Sequence, residues 1–96
     1  MIYKFHPKAE EEFELAIDFY EEARKNLGEE FIEEVYQAIN RVKDFPEAWH
    51  PMTQSTRRCL VNRFPFGVVY RVEVGIIVIV SVMHLSRKPD YWYNRI

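Results

Sequence analysis

An almost wholly apolar run near the end of the chain, Ile76–Met83, constrains the fold more than any other segment. It reads IIVIVSVM and is rich in β-branched residues. It is typical of a strand in length and falls well short of the roughly 18 apolar residues that a membrane-spanning helix needs. Because a continuous apolar run has both faces covered, we expect an interior strand of a sheet. The rest of the chain must then supply that cover.

Two further β-type runs precede this strand. The first, Cys59–Phe64, ends before Pro65, and the second, Val68–Val74, ends before Gly75. Both mix polar and apolar residues, as strands with one wetter face do. Gly75 can adopt the positive φ that a tight hairpin needs. The last third of the chain therefore predicts three strands, with a hairpin between the second and third.

The start of the chain predicts a strand followed by a helix. Ile2–His6 alternates apolar and polar residues, which indicates a short strand whose neighbour in the sheet the pattern leaves open. Pro7 suits the first position of a helix, where its missing N–H is not needed. The helix runs to about Lys25, and the break is predicted at residues 26–28, with Gly28 acting as a stop or a hinge. Its apolar stripe comprises Ala9, Phe13, Ala16, Ile17 and Tyr20.

A second helix is predicted over Glu29–Lys43, and the short connection makes the two helices an antiparallel hairpin. Residues 47–56 read as a loop, in which Trp49 either fills the gap between hairpin and sheet or contacts a partner. The order is thus β-α-α-β-β-β in one domain spanning residues 1–96. We expect an α+β fold with the helical hairpin packed on one face of a small, mainly antiparallel sheet. The opposite face is expected to stay uncovered.

Charge is divided unevenly along the chain, although its formal net charge is only −2. Residues 1–55 hold six Lys/Arg and thirteen Asp/Glu, whereas residues 56–96 hold seven Lys/Arg and two Asp/Glu. Acidic residues commonly solvate helix faces, which accounts for the first half. The second half keeps five positive charges in excess, so a basic sheet face predicts an anionic partner.

Several kinds of chemistry are not expected. The single Cys59 allows no internal disulfide, and its place in a strand pattern indicates a small buried hydrophobe. The three histidines, His6, His50 and His84, are far apart and lack a second Cys, which argues against zinc. Three glycines provide no phosphate loop. We expect no cofactor or metal and, with no signal peptide or membrane span, a cytoplasmic protein.

From Arg57 onward the chain resembles the RelE/ParE superfamily of toxins from bacterial type II toxin–antitoxin systems, and most of all its ParE-like branch. The resemblance rests on an ordered set of residues: Arg57-Arg58, Phe64-Pro65-Phe66, Val69–Val72, Ile77–Ile79, His84, Arg87, Pro89, Tyr91 and Trp92. It implies the fold argued above and a role in growth inhibition or plasmid stabilisation. It also implies a hetero-oligomer with an antitoxin that silences the toxin.

The resemblance leaves two activities to separate. ParE-type toxins poison DNA gyrase without hydrolytic chemistry, whereas RelE-type toxins cut messenger RNA on the ribosome. The RNA-cutting branch places an Arg just before the triplet that is Val68–Tyr70 here, and this chain has Gly67 there. This difference favours gyrase inhibition by binding. The predicted anion-binding or target-binding residues are Arg57, Arg58, Arg63, Arg71, Arg87 and Lys88.

Two alternatives remain open. In a ribosome-dependent endoribonuclease, His84 would act as acid or base, Arg87 would hold the phosphate, and Tyr91 would donate a proton or stack on a base. The chain could also be an inactive family member retained only for partner binding. In every case an antitoxin with acidic residues is expected, and its predicted contacts are Trp49, Tyr91, Trp92 and Tyr93. Tyr91 and Trp92 could instead pack the tail onto the sheet.

Overall fold

A helical hairpin packed against a five-stranded sheet forms the fold of the computed structural model, which describes residues 1–96. The predicted α+β class and element order are confirmed. A two-residue strand inside the predicted loop and a C-terminal 3-10 helix were not expected. The elements in chain order are β1 (Ile2–Phe5), α1 (Pro7–Ala23), α2 (Leu27–Asp44), β2 (His50–Pro51), β3 (Arg57–Leu60), β4 (Phe66–Glu73), β5 (Ile76–His84) and the 3-10 helix (Pro89–Arg95).

The apolar run becomes β5, an interior strand as predicted. The strand order is β1-β5-β4-β3-β2, so β5 lies between β1 and β4. β1 runs parallel to β5, with Ile2 opposite Ile76 and Phe5 opposite Ile79. The remaining pairs are antiparallel, which confirms a mainly antiparallel sheet and identifies the neighbour of the first strand.

The hairpin between β4 and β5 turns at Gly75, as predicted. Glu73 and Ile76 are the last paired residues, and Gly75 has a φ of 72°. An L side chain is strained in that conformation, whereas glycine adopts it freely. The register between β4 and β5 shifts by one residue here, because Val69 pairs with Ser81 whereas the next residue, Tyr70, pairs with Ile79. Val80 is therefore the extra residue of a β-bulge.

The first of the three predicted C-terminal strands, Cys59–Phe64, lies too far along the chain, because the observed strand is Arg57–Leu60. β3 ends at Leu60, and the residues expected to continue it form the connection to β4. Val61 and Phe64 turn inward and are buried, while Arg63 between them has a positive φ of 71°. The chain must reverse direction before β4, so apolar residues that resemble a strand in sequence instead fill the core from a turn.

The helical hairpin begins as predicted and turns at the first residue of the predicted break. His6 caps α1, and its Nδ1 accepts a hydrogen bond from the Lys8 N–H at 3.1 Å. The reversal occurs at Asn26, whose φ is 72°, and not at Gly28, which lies inside α2. A Cβ at Gly28 would lie only 3.0 Å from the Ile17 carbonyl oxygen, so this glycine permits close helix packing. Neither helix has the length and apolar character that crossing a lipid bilayer requires.

The main core lies between the hairpin and the sheet. The predicted apolar stripe of α1 faces it, together with the buried face of α2. At its centre is a group of aromatic rings in contact with one another: Phe13, Tyr20, Phe31, Phe64 and Phe66. Edge-to-face contacts of this kind add to the hydrophobic term. This core holds the sheet rigidly from one side.

The opposite face of the sheet is partly covered by the end of the chain. Trp92 in the 3-10 helix is fully buried and packs with Val69, Val80 and Met83. The prediction that this face stays uncovered is therefore wrong at its centre. Interior strands carry apolar residues on both faces, and the tail supplies the cover for the second. We call this side of the sheet, with the 3-10 helix on it, the tail face.

Candidate partner-binding surface

Trp92 fixes the tail to the sheet. Its indole Nε1 donates a hydrogen bond to the Met83 sulfur at 3.2 Å. Tyr93 lies next to it, with 4.9 Å between ring centroids, and is 47% exposed. Among the residues predicted to contact an antitoxin, Trp92 thus serves as a core residue, whereas Tyr93 offers an accessible ring.

A mostly buried ion pair, Glu12 with Arg95, closes the edge of β5 beyond the end of β1. Glu12 Oε1 accepts hydrogen bonds from the Val82 N–H at 3.2 Å and the Ser81 hydroxyl at 2.9 Å. Arg95 donates to the same carboxylate oxygen at 2.9 Å and to the Val80 carbonyl at 3.2 Å. These side chains bind backbone groups that a longer β1 would have paired, and they tie the tail to α1.

Sequence reasoning did not identify this network. One signal was present, because Ser81 is the only polar residue in the apolar run of β5. A buried hydroxyl needs a hydrogen-bond partner, so its position predicts a polar group nearby. Nothing in the local pattern distinguishes Glu12 from Glu10 and Glu11, because only tertiary packing selects the glutamate that faces the sheet.

Tyr91 lies between two guanidinium groups. The Arg87 guanidinium carbon is 3.6 Å from the centre of its ring and the Arg95 carbon is 5.2 Å from it. The Tyr91 hydroxyl shares a hydrogen bond with the Ser81 hydroxyl at 3.0 Å. Burial raises the pKa of Tyr91 above its ordinary value. The phenol is therefore protonated at neutral pH and already engaged within the fold.

The His84 ring lies on the hairpin side of the sheet, although the His84 carbonyl accepts a hydrogen bond from the Arg87 N–H at 3.1 Å. The ring packs edge to face on Phe66, with 5.1 Å between centroids, and Phe66 belongs to the core on the hairpin side. His84 Nδ1 accepts a hydrogen bond from the Ser86 N–H at 3.1 Å. No side-chain hydrogen bond joins His84 to Arg87 or Tyr91. The structure thus brings together Arg87 and Tyr91 of the ribonuclease trio, but not His84.

Three of the cations in the basic half have acidic partners. Arg63 binds Glu30 at 2.6 Å and lies 3.9 Å from Glu34, both on α2. Arg71 pairs with Glu73, and its guanidinium holds the pKa of that carboxyl below its ordinary value. Arg95 pairs with Glu12 as described above. These charges are compensated within the chain, so they contribute little to an external anion site.

The other predicted cations have no carboxylate partner. Arg57 donates a hydrogen bond to the Trp49 carbonyl at 2.9 Å. Arg87 is exposed apart from its contact with Tyr91, and Lys88 beside it is exposed. Arg58 lies on β3 opposite Val69, with its side-chain carbons over Gly67 of β4. Of the six predicted anion-binding residues, Arg58, Arg87 and Lys88 therefore remain without an internal partner for their charge. Arg57 is bound to the loop.

The loop before β3 is anchored from the hairpin side. Trp49 is partly buried against the main core, and its Nε1 donates to the Arg41 carbonyl at 3.3 Å. The Tyr70 hydroxyl donates to the Pro46 carbonyl at 2.6 Å. Trp49 thus fills the gap between hairpin and sheet, which was one of its two predicted roles.

Tyr70 is expected to lose its phenolic proton only at unusually high pH. Burial raises its pKa from the ordinary 10.0 to about 12. Because the folded-state pKa is raised, the stabilisation is fully present below about pH 10, the ordinary tyrosine value, and is lost as the pH rises through the folded value. A phenolate absorbance titration should show a phase near pH 12 that is lost in Tyr70→Phe. A variant that keeps this phase and loses absorbance at lower pH would contradict the assignment.

The structure supplies no reactive thiol or metal ligand set. Burial raises the pKa of the Cys59 thiol, which disfavours the nucleophilic thiolate. No three His, Cys, Asp or Glu side chains lie close enough together to hold a metal ion. The three histidines belong to different places: His6 caps α1, His50 is in β2 and His84 ends β5.

Comparisons with known proteins agree with this architecture. A family model described as the ParE toxin of the type II toxin–antitoxin system, parDE, matches residues 3–89. A solved structure titled "Chromosomal ParDE TA system from P. aeruginosa" superimposes with a TM-score of 0.64. That match covers 90% of this chain and 97% of the other at 20% sequence identity, and so supports the fold alone. No curated protein is similar enough in sequence to count as a match.

Proposed function

This chain belongs to the ParE toxin family of type II toxin–antitoxin systems, and from that membership we propose that it inhibits DNA gyrase by binding it. We further propose that a cognate antitoxin neutralises it by covering the same surface. The contact surface is the tail face, with Arg58, Arg87 and Lys88 as its uncompensated cations. Tyr93 is the exposed aromatic residue of the 3-10 helix on this face.

One observation carries the choice of binding over cleavage: the groups needed to cut RNA are not assembled. Metal-independent cleavage needs a base, a cation at the phosphate and an acid close to one another. His84 packs on the hairpin side, and the Tyr91 hydroxyl is already engaged with Ser81. Gly67 stands where the RNA-cutting branch has an arginine. These features support a protein that acts through contacts.

The ribonuclease remains the second candidate because Arg87 and Tyr91 stack directly on each other. A cation beside a phenol and an aromatic face is a combination that can bind a nucleotide. This candidate requires His84 or another base to move to the tail face. It would be favoured by mRNA cleavage that depends on Arg87.

A supercoiling assay tests the proposal. Purified chain is added to gyrase and relaxed plasmid, and supercoiled product and cleaved DNA trapped with the enzyme are both measured. We expect inhibition by the wild type and about a tenfold or greater loss of potency in Arg87→Ala, since charge-assisted hydrogen bonds contribute about 1.5–3 kcal/mol. Arg24→Ala, an exposed arginine of the hairpin, should match the wild type. Unimpaired supercoiling with no trapped DNA would refute the proposal.

A further inference from the structure

Gly67 leaves a space that the Arg58 side chain fills. A Cβ placed on Gly67 would lie 2.7 Å from both Cγ and Cδ of Arg58, closer than real Cβ atoms approach other atoms. The Leu85 side chain flanks the same space, with its Cδ2 at 3.6 Å from that position. The Arg58 stem thus crosses β4 where any other residue would project its own side chain.

Backbone conformation does not explain this glycine. Only Gly75 among the glycines has a positive φ, so Gly67 has no conformation that excludes L side chains. Glycine inside a strand is unfavourable, because it loses more conformational entropy and has no side chain to pack. The close approach of Arg58 is the structural reason that remains.

The space determines the direction of Arg58. Its own cross-strand partner is Val69, whereas Gly67 pairs with Leu60, so the side chain runs diagonally across the sheet. The Arg58 Nε is buried and has no hydrogen-bond partner. No carboxylate forms an ion pair with it, in contrast to Arg63, Arg71 and Arg95. A partly desolvated guanidinium without an anion is a site where an external anion gains binding energy.

We propose that Gly67 is a positioning residue that lets Arg58 cross β4 and bind a carboxylate on an acidic segment of a protein partner. This inference rests on the proposed function in one respect: it assumes that the chain acts by binding a protein partner. A carboxylate is the anion that a protein partner supplies, and membership of a toxin–antitoxin family implies a protein partner, the antitoxin. The planar guanidinium also matches a carboxylate in bidentate geometry.

The test uses hexaglutamate peptide as the carboxylate probe and inorganic phosphate, at equal ionic strength, as the alternative anion. The affinity of each variant for the peptide is measured by titration calorimetry. In chains that keep Arg58, the NMR signal of the Arg58 Nε–H, assigned by its loss in Arg58→Lys, reports which anion reaches the guanidinium. We expect the peptide to shift this signal, and Gly67→Ala to weaken peptide binding about tenfold, as loss of one charge-assisted contact would. Arg58→Met keeps an apolar stem over Gly67 and should weaken binding equally. Arg24→Ala should bind like the wild type.

The double variant separates positioning from a general effect on structure. If Gly67 acts only through Arg58, adding Gly67→Ala to Arg58→Met causes no further loss of binding. Wild-type binding by Gly67→Ala, or a further large loss in the double variant, would overturn the positioning role. An Arg58 signal that responds more strongly to phosphate than to the peptide would overturn the carboxylate assignment. The assay contains no gyrase, so its outcome is independent of the supercoiling result.

Discussion

Replacing Trp92 with alanine is expected to lower the free energy of unfolding by about 3–5 kcal/mol, the usual cost of truncating a buried tryptophan. The side chain is fully buried against Val69, Val80 and Met83. Its loss leaves a cavity that the short 3-10 helix cannot close, and it removes the bond to the Met83 sulfur. Urea denaturation followed by circular dichroism measures the change without depending on tryptophan fluorescence.

Tyr93→Ala is the matched control for this variant. Tyr93 follows Trp92 directly in the chain, but it is 47% exposed. Truncation of a surface side chain usually changes the free energy of unfolding by about 0.5 kcal/mol or less. Equal stability of the two variants would show that the tail does not pack on the sheet in solution. The uncovered second face expected from the sequence would then be the better description.

Glu12→Ala is expected to destabilise the fold by about 3 kcal/mol, because removing one member of a buried ion pair leaves the other charge uncompensated. Glu12 and Arg95 side chains are only 16% and 11% exposed. The substitution also leaves the Val82 N–H and the Ser81 hydroxyl without the acceptor they share. Urea denaturation again measures the change in the free energy of unfolding. The first structural sign of the substitution should be a loss of order at the chain end.

Glu11→Ala provides the control for helix propensity and net charge, since this neighbour on α1 is exposed. A double-mutant cycle with Arg95→Ala should give a coupling energy of about 1–2 kcal/mol, typical of residues in direct contact. A Glu12→Ala variant as stable as Glu11→Ala would mean that the ion pair does not close the edge of β5.

The elements that the sequence predicted well are those set by local rules. Pro7 and the apolar stripes fixed the first helix, and Gly75 fixed the hairpin because a positive φ was required there. The apolar run of β5 indicated an interior strand because side chains on both of its faces must leave water. The same argument requires a cover for the tail face as well. The sequence interpretation left that face uncovered and did not assign Trp92 to it.

The misplaced boundaries share a physical cause. Gly28 resembled a helix stop, but it serves close packing against Ile17, which becomes visible only when both helices are present. Val61 and Phe64 resembled a strand because burial, and not backbone pairing, determined their apolar character. In both places tertiary packing selected the residue type.

The candidate surface was predictable only in part for a similar reason. Composition revealed the excess of cations in the second half, but not which ones are neutralised. Arg63 lies 33 positions from Glu30 in sequence and yet pairs with it, so only the folded chain removes it from the surface. Gly67 was noted as a missing arginine, whereas its contact with the stem of Arg58 depends on strand register.

Whether this toxin acts by contact or by cleavage is tested most directly in a purified translation system programmed with a defined mRNA. Toxin is added at the concentrations used in the supercoiling assay, and the mRNA is mapped for breaks at ribosome positions. We expect intact mRNA with the wild type and with Arg87→Ala. Breaks that appear with the wild type and vanish in Arg87→Ala would show that Arg87 and Tyr91 belong to a ribonuclease site, and would contradict an activity based on binding.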